Sequence, residues 1–146
     1  MIDLETAYPT RVPLQVRFSD TDASGHINNV SYIAYFELGR TRYFSDVHGA
    51  LNTFGQGWIL GEVQCRYLAQ GFFGDPLEIR CGTNGIGRAS FRTAYEIANA
   101  ETGTILAKGM SITVCYDFKA KKTVRISDEW RRKVAAFEGW DESVLL

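Results

Sequence analysis

The sequence predicts an α+β domain in which an antiparallel sheet of five to six strands wraps one long helix. Three observations carry that prediction. A single helical period runs through residues 30–48, short alternating segments separated by turn residues fill most of residues 58–126, and a second, shorter helical pattern closes the chain. One helix cannot cover both faces of such a sheet, so it is expected on one side only.

The first strand comes from Val12, Leu14, Val16 and Phe18 alternating with Arg11, Pro13, Gln15 and Arg17. Pro13 lacks a ladder donor, which places the start of this strand on an edge. Residues 1–10 show no period and read as a lead-in. The long helix follows an acidic loop. From Ile33, apolar side chains recur at Phe36, Tyr43, Phe44 and Val47, with Arg40 at the intervening turn. Those spacings of three, four and seven define one helix face. Asn28 or Asn29 suits the N-cap, where a short side-chain oxygen accepts from a first-turn N–H. Gly49 suits the position just past the last turn, where positive φ is needed. Glu37 and Arg40 have the spacing of an i, i+3 pair.

Asn52, Gly55 and Gly57 punctuate the next connection, with Phe54 expected to tuck inward. Trp58 to Ala69 reads as a strand with Ile59, Val63, Cys65 and Tyr67 on one face and Glu62, Gln64 and Arg66 on the other. Gly71, Gly74, Asp75 and Pro76 make a turn into a strand bearing Leu77, Ile79 and Cys81, and Asn84-Gly85-Ile86-Gly87 is the next turn signal. The fourth strand sets Phe91, Thr93, Tyr95 and Ile97 opposite Ser90, Arg92 and Glu96, and residues 99–103 suit a hairpin loop. The fifth, about residues 104–116, carries Leu106, Met110, Ile112, Val114 and Tyr116 on one face. Its other face is Ala107, Gly109, Ser111, Thr113 and Cys115, all small, so something is expected to pack closely over it. Residues 123–126 suit a short added strand, and Ser127 a cap for a helix with Trp130, Val134 and Phe137 on one face.

Bulk properties narrow the function. A chain of 146 residues, 45% hydrophobic and 23% charged, suits one globular domain over residues 1–146. A net charge of −1 leaves no electrostatic footprint for nucleic acid. No apolar run approaches the ~20 residues that span a bilayer. The N-terminus lacks the basic and apolar regions of a signal peptide. Cys65, Cys81 and Cys115 are odd in number and far apart, which argues against a disulfide framework and structural zinc. A reducing, cytoplasmic setting is the default.

Chemistry concentrates in Arg17-Phe18-Ser19-Asp20-Thr21-Asp22-Ala23-Ser24-Gly25-His26-Ile27-Asn28-Asn29. Two carboxylates, a histidine and an Asn pair feed into the positive end of a helix, a place to polarise a carbonyl or hold an anion. A simpler reading fits the same residues: Asp20 and Asp22 as turn formers bonding their own backbone, His26 bonding within the loop, and the Asn pair as caps. Glu62 is a second candidate carboxylate. Gly85, Gly87 and Arg88 suit either a phosphate contact or a plain hairpin turn. No Gly-x-Ser-x-Gly elbow or phosphate-binding loop is present.

This stretch, followed by Tyr32 and Tyr35-Phe36-Glu37, resembles the signature of the hot-dog-fold acyl-CoA thioesterases, most of all the 4-hydroxybenzoyl-CoA thioesterase type. Tyr67-Leu68, Gly74-Asp75-Pro76-Leu77-Glu78-Ile79 and Arg88-Ala89-Ser90-Phe91 extend the similarity over about residues 11–118. The resemblance implies metal- and cofactor-free hydrolysis of an acyl-CoA or acyl-carrier thioester. Asp22, the second Asp of the pair, is then the nucleophile or general base, and the helix N-terminus the oxyanion hole. It implies catalytic roles for His26 and Asn29 beside Asp22, substrate contacts at Gly25, Asn28, Tyr32, Arg88 and Ser90, and a structural role for Asp20. It also implies a homodimer joined edge to edge or a homotetramer, and the small-residue face fits close subunit contact. A non-catalytic acyl-thioester-binding protein on the same fold is the alternative. The sequence departs from some members in carrying Phe18 where they have Tyr and Asn29 where they have His; Gly25-His26-Ile27-Asn28-Asn29 is similar instead to long-chain acyl-CoA and acyl-carrier-protein thioesterases.

Overall fold

The computed structural model describes residues 1–49 and 57–145. Along the chain lie β1 (Ile2–Asp3), β2 (Thr10–Gln15), α1 (Asn29–His48), β3 (Gly57–Tyr67), β4 (Pro76–Ile86), β5 (Ser90–Asn99), β6 (Ile105–Asp117), β7 (Lys122–Thr123) and α2 (Asp128–Glu138). All strand pairings are antiparallel. The sheet order is β1-β4-β5-β6-β3, with β2 also on β4 and the short β7 on β6. The expected α+β layout is therefore present, with β3 as an edge among the described strands. Residues 2–3, read as a lead-in, instead pair with Gly85 and Ile86 of β4. The expectation for Asn52, Phe54 and Gly55 falls outside the described residues.

α1 begins and ends as its terminal residues dictate. The Asn28 side chain accepts from Val30 N–H at 3.0 Å, and Gly49 closes the helix at φ 74°. The buried face is broader than the apolar spacing indicated, because Tyr32, Tyr35 and Gly39 join Phe36 and Tyr43. These pack with Val12, Ile79, Tyr95, Ile97 and Leu106 as the main core. α2, capped by Ser127, covers the neighbouring end of the same sheet face through Trp130 and Val134 against Ile86, Phe91 and Cys115. Its last residue, Glu138, ties three elements together, accepting from Thr6 Oγ1 and Tyr43 Oη at 2.8 Å each and from Thr83 N–H at 2.6 Å.

The small side chains of β6 make room for α1. A Cβ on Gly109 would lie 2.4 Å from the Phe36 ring, which stacks at 4.5 Å on Tyr95, the register partner of Gly109. The small face is thus covered within the chain, which corrects its reading as a subunit contact. Two bulges explain two further corrections. Pairing of β3 with β6 slips between Leu60 and Glu62, and one extra residue reverses which side chains face inward. Trp58 therefore packs into the core near α2, while Ile59 stays 37% exposed rather than sharing a face with Val63. A second slip between Thr83 and Gly85 carries β4 straight through the Asn84-Gly85 turn signal to Ile86. Arg40 does not pair with Glu37; its guanidinium donates to Tyr95 Oη at 3.0 Å, which joins Ser111 Oγ at 2.7 Å.

His48, in the last turn of α1, packs beside the rings of Phe44 and Trp130, at 6.2 and 5.7 Å between centroids. Burial, with repulsion from Lys133 and a smaller opposing pull from Glu129, lowers its pKa from 6.5 to about 4. The unfolded chain binds this proton at higher pH than the folded one, so stability is full above about pH 6.5 and falls as the pH drops toward about 4. His48→Gln is expected to flatten that part of a melting-temperature-against-pH curve. An unchanged slope would show that His48 is not its source.

Candidate active site

The loop of residues 17–28 is built around Asp20. That side chain is 5% exposed and accepts from Arg17 three times, from Nη2 to Oδ1 at 3.0 Å, Nε to Oδ2 at 3.3 Å and backbone N–H to Oδ2 at 3.0 Å. Burial alone would raise its pKa, but the hydrogen bonds and charge of Arg17, with a contribution from Tyr35, together outweigh it and hold the carboxyl below its usual value. Its carbonyl accepts from Asn28 N–H at 2.8 Å and Ser31 Oγ at 3.0 Å, tying the loop to the first turn of α1. The structural role expected for Asp20 follows from these contacts.

Asp22 sits differently. It is half-buried, its Oδ1 accepts only a local bond from Ser24 N–H at 2.8 Å, and its Oδ2 stands 3.5 Å from His26 Nδ1. The same nitrogen lies 3.3 Å from the Ile27 carbonyl oxygen. Gly25, at φ 84°, turns the chain between them, its N–H bonded to the Asp22 carbonyl at 3.0 Å. Asp22, His26, Asn29 and Tyr32 line one cleft of about 220 Å³ with Ile27, Tyr67, Ala69 and Gln70. Four of the expected site residues are thus brought together. Asn28 contributes as the cap.

The first turn of α1 leaves one donor available. Asn28 takes Val30 N–H with its side chain and Ser31 N–H with its carbonyl at 2.9 Å. Among the described residues, Asn29 N–H makes no hydrogen bond, and Asn29 lines the cleft. A free N–H at a helix N-terminus is what a developing oxyanion requires. Tyr67, which the spacing placed only on a strand face, fixes this end of the helix. Its hydroxyl donates to the Asn29 carbonyl at 3.0 Å and its ring meets Tyr32 edge-on at 5.3 Å. Tyr67→Phe keeps the ring contact and removes that bond. It is expected to cost about 1 kcal/mol in a denaturant melt and to lower turnover several-fold; unchanged turnover would remove Tyr67 from the account of the site.

Arg88 and Ser90 are not part of this cleft. Ser90 pairs through Val114 with Ile59, whereas Tyr67 lies eight residues further along β3. At ~3.3 Å per residue the two places are about 25 Å apart within one chain. Arg88 lines a separate cleft of about 340 Å³ with Arg125 and Arg131. Glu62 is exposed, bonded by Gln64 Nε2, and does not line the Asp22 cleft. Cys81 and Cys115 are buried strand fillers, and burial raises the thiol pKa of each. No spacing in the sequence marks Ala69 and Gln70 as site residues; pairing of the neighbouring Gly71 carbonyl with Ile27 N–H brings them to the cleft.

Comparison with known proteins places this arrangement. A family model described as the thioesterase-like superfamily matches residues 16–134, spanning the Asp22 loop, α1 and the whole sheet after it. The chain belongs to that superfamily. The acyl-CoA thioester hydrolase YbgC of Escherichia coli is 30% identical over 110 residues, covering 73% of this chain and 81% of that protein. YsmA of Bacillus subtilis is 32% identical over 116 residues, covering 80% and 78%. A thioesterase from Thermus thermophilus, solved with coenzyme A and Zn, superposes with a TM-score of 0.81 at 29% identity, covering 91% of this chain and 96% of that one. The hot-dog fold and the thioesterase family implied by the resemblance are therefore right.

Proposed function

We propose that the protein hydrolyses acyl-CoA thioesters in the Asp22 cleft. The observation that carries this reading is the pairing, in one cleft, of Asp22 and Asn29, the residue at the start of α1 whose backbone N–H makes no hydrogen bond among the described residues. The two supply the halves that thioester hydrolysis needs. The N–H, backed by a 20-residue helix, stabilises the oxyanion as the carbonyl is attacked. Asp22 attacks the carbonyl carbon directly or takes the proton from an attacking water. Departure of the thiolate then leaves the free acid, directly or after water opens the acyl-aspartyl intermediate. His26, with Nδ1 3.5 Å from Asp22 Oδ2, flanks the carboxylate. Tyr32 lines the cleft where substrate would contact it, Gly25 turns the loop beside it, and Asn28 keeps the helix end in place. Arg88, in the second cleft of a neighbouring subunit, contacts the phosphate-bearing part of the carrier, with Ser90 two residues along the chain beside that cleft. Membership of the thioesterase-like superfamily and similarity to an acyl-CoA thioester hydrolase both support the reading.

β3 is an edge among the described strands, and its pairing with the β3 of a second copy makes the homodimer, which can pair again into a tetramer. Sedimentation at micromolar concentration is expected to show no stable monomer. The test of the activity is free-thiol release from short-chain, long-chain and aryl acyl-CoAs. Saturable release from at least one class is expected. Measurable acyl-CoA binding with no release from any would move the protein to the non-catalytic, acyl-thioester-binding alternative, which the fold alone allows equally.

A further inference from the structure

The crossing at residues 69–72 reaches the Asp22 loop through a glycine. Ile27 N–H donates to the Gly71 carbonyl at 2.8 Å, and His26 forms an antiparallel bridge with Phe72. Gly71 is buried, and a Cβ there would lie 2.4 Å from Ile27 Cδ1, 3.3 Å from Ile27 Cγ1 and 2.9 Å from Leu106 Cδ1. Its backbone is not left-handed, unlike that of Gly74 three residues on, where φ is 83° and no atom lies within 4 Å of a built Cβ. Gly71 is therefore needed for space and Gly74 for conformation. Ile27, 4% exposed, sits between His26, which faces Asp22, and Asn28, which caps α1. Ile27 thus lies on the stretch of chain that joins the His26–Asp22 contact to the Asn28 cap.

We propose that Gly71 is a positioning residue: by lacking a Cβ it seats Ile27 against the 69–72 crossing and so sets the spacing between Asp22 and the Asn29 N–H. The inference rests on the hydrolytic reading of the cleft. A misplacement of about 1 Å at a reacting centre can cost about 100-fold in rate. Gly71→Ala is thus expected to lower kcat for thiol release from acyl-CoA by about 10- to 100-fold, with KM changed less than about threefold. Adding Ile27→Val removes Cδ1, the atom the new methyl meets first. The double variant is expected to regain kcat to within about threefold of Ile27→Val alone. Gly74→Ala, strained in its backbone but clear of Ile27, is expected to lower the melting temperature without that kcat loss.

Amide and imidazole resonances of His26 and Asn29 in the same variants supply a readout independent of activity. They are expected to shift in Gly71→Ala and return in the double variant. Full kcat in folded Gly71→Ala, absence of recovery in the double variant, or unmoved resonances would each overturn the proposal. Shifted and recovered resonances in a protein inactive toward every acyl-CoA would instead keep the positioning role and remove the hydrolytic reading.

Discussion

Asp22→Asn is expected to reduce turnover by about 10²- to 10⁴-fold or more while the melting temperature stays nearly unchanged. Asn is close to isosteric and retains an oxygen for the Ser24 N–H bond, the one hydrogen bond to the Asp22 carboxylate among the described residues. It cannot attack as an anion or take a proton as a carboxylate does. Asp20→Asn removes the same charge two residues away and reverses the outcome. It weakens a buried carboxylate held three times by Arg17, so stability should fall by about 2 kcal/mol while turnover per folded molecule is largely kept. Steady-state kinetics and thermal melts on the two variants separate the roles. Near-full activity in Asp22→Asn, or a rate loss that only tracks unfolding, would contradict the catalytic assignment.

The largest expected loss of stability follows Gly109→Val. Even the first carbon of the new side chain would sit 2.4 Å from the Phe36 ring and 2.5 Å from the Gln64 carbonyl oxygen, a backbone atom of the paired strand. The ring cannot retreat, because it is stacked on Tyr95 and fully buried. Overpacking of this kind costs about 3 kcal/mol or more, a lowering of the melting temperature by roughly 10 °C in a domain of this size. Gly61→Ala is the control. Its Cβ would come no closer than 3.3 Å, to the end of Val114, so a shift of a degree or two is expected. Equal melting temperatures for the two variants would mean that α1 does not rest on β6 as described.

The parts of the fold legible in the sequence are those set by local rules. The Asn28 cap, the Gly49 terminus, the Ser127 cap and the 99–103 hairpin each rest on a bond or a φ value that a few residues decide. What was not legible depends on partners distant in sequence. The bulges in β3 and β4 arise from how those strands pair, and alternation alone could not show that Trp58 turns inward or that Asn84-Gly85 stays in a strand. Arg40 has the spacing of half a helix pair, and only the fold shows that its acceptor is Tyr95, 55 residues on. At the site, the Asp22-to-Asn29 run was readable because its residues are contiguous. Tyr67, Gln70 and Gly71 reach it only across the fold, and a glycine in a turn gives no sign that it is there for want of space.

The most direct test of the hydrolytic site is a structure with a non-hydrolysable acyl-CoA analogue in which a methylene replaces the thioester sulfur. The account predicts the analogue's carbonyl oxygen about 2.7–3.1 Å from the Asn29 backbone nitrogen, with the Asp22 carboxylate facing the carbonyl carbon. An analogue whose carbonyl is seated elsewhere, leaving Asp22 and Asn29 without contact to it, would contradict the account.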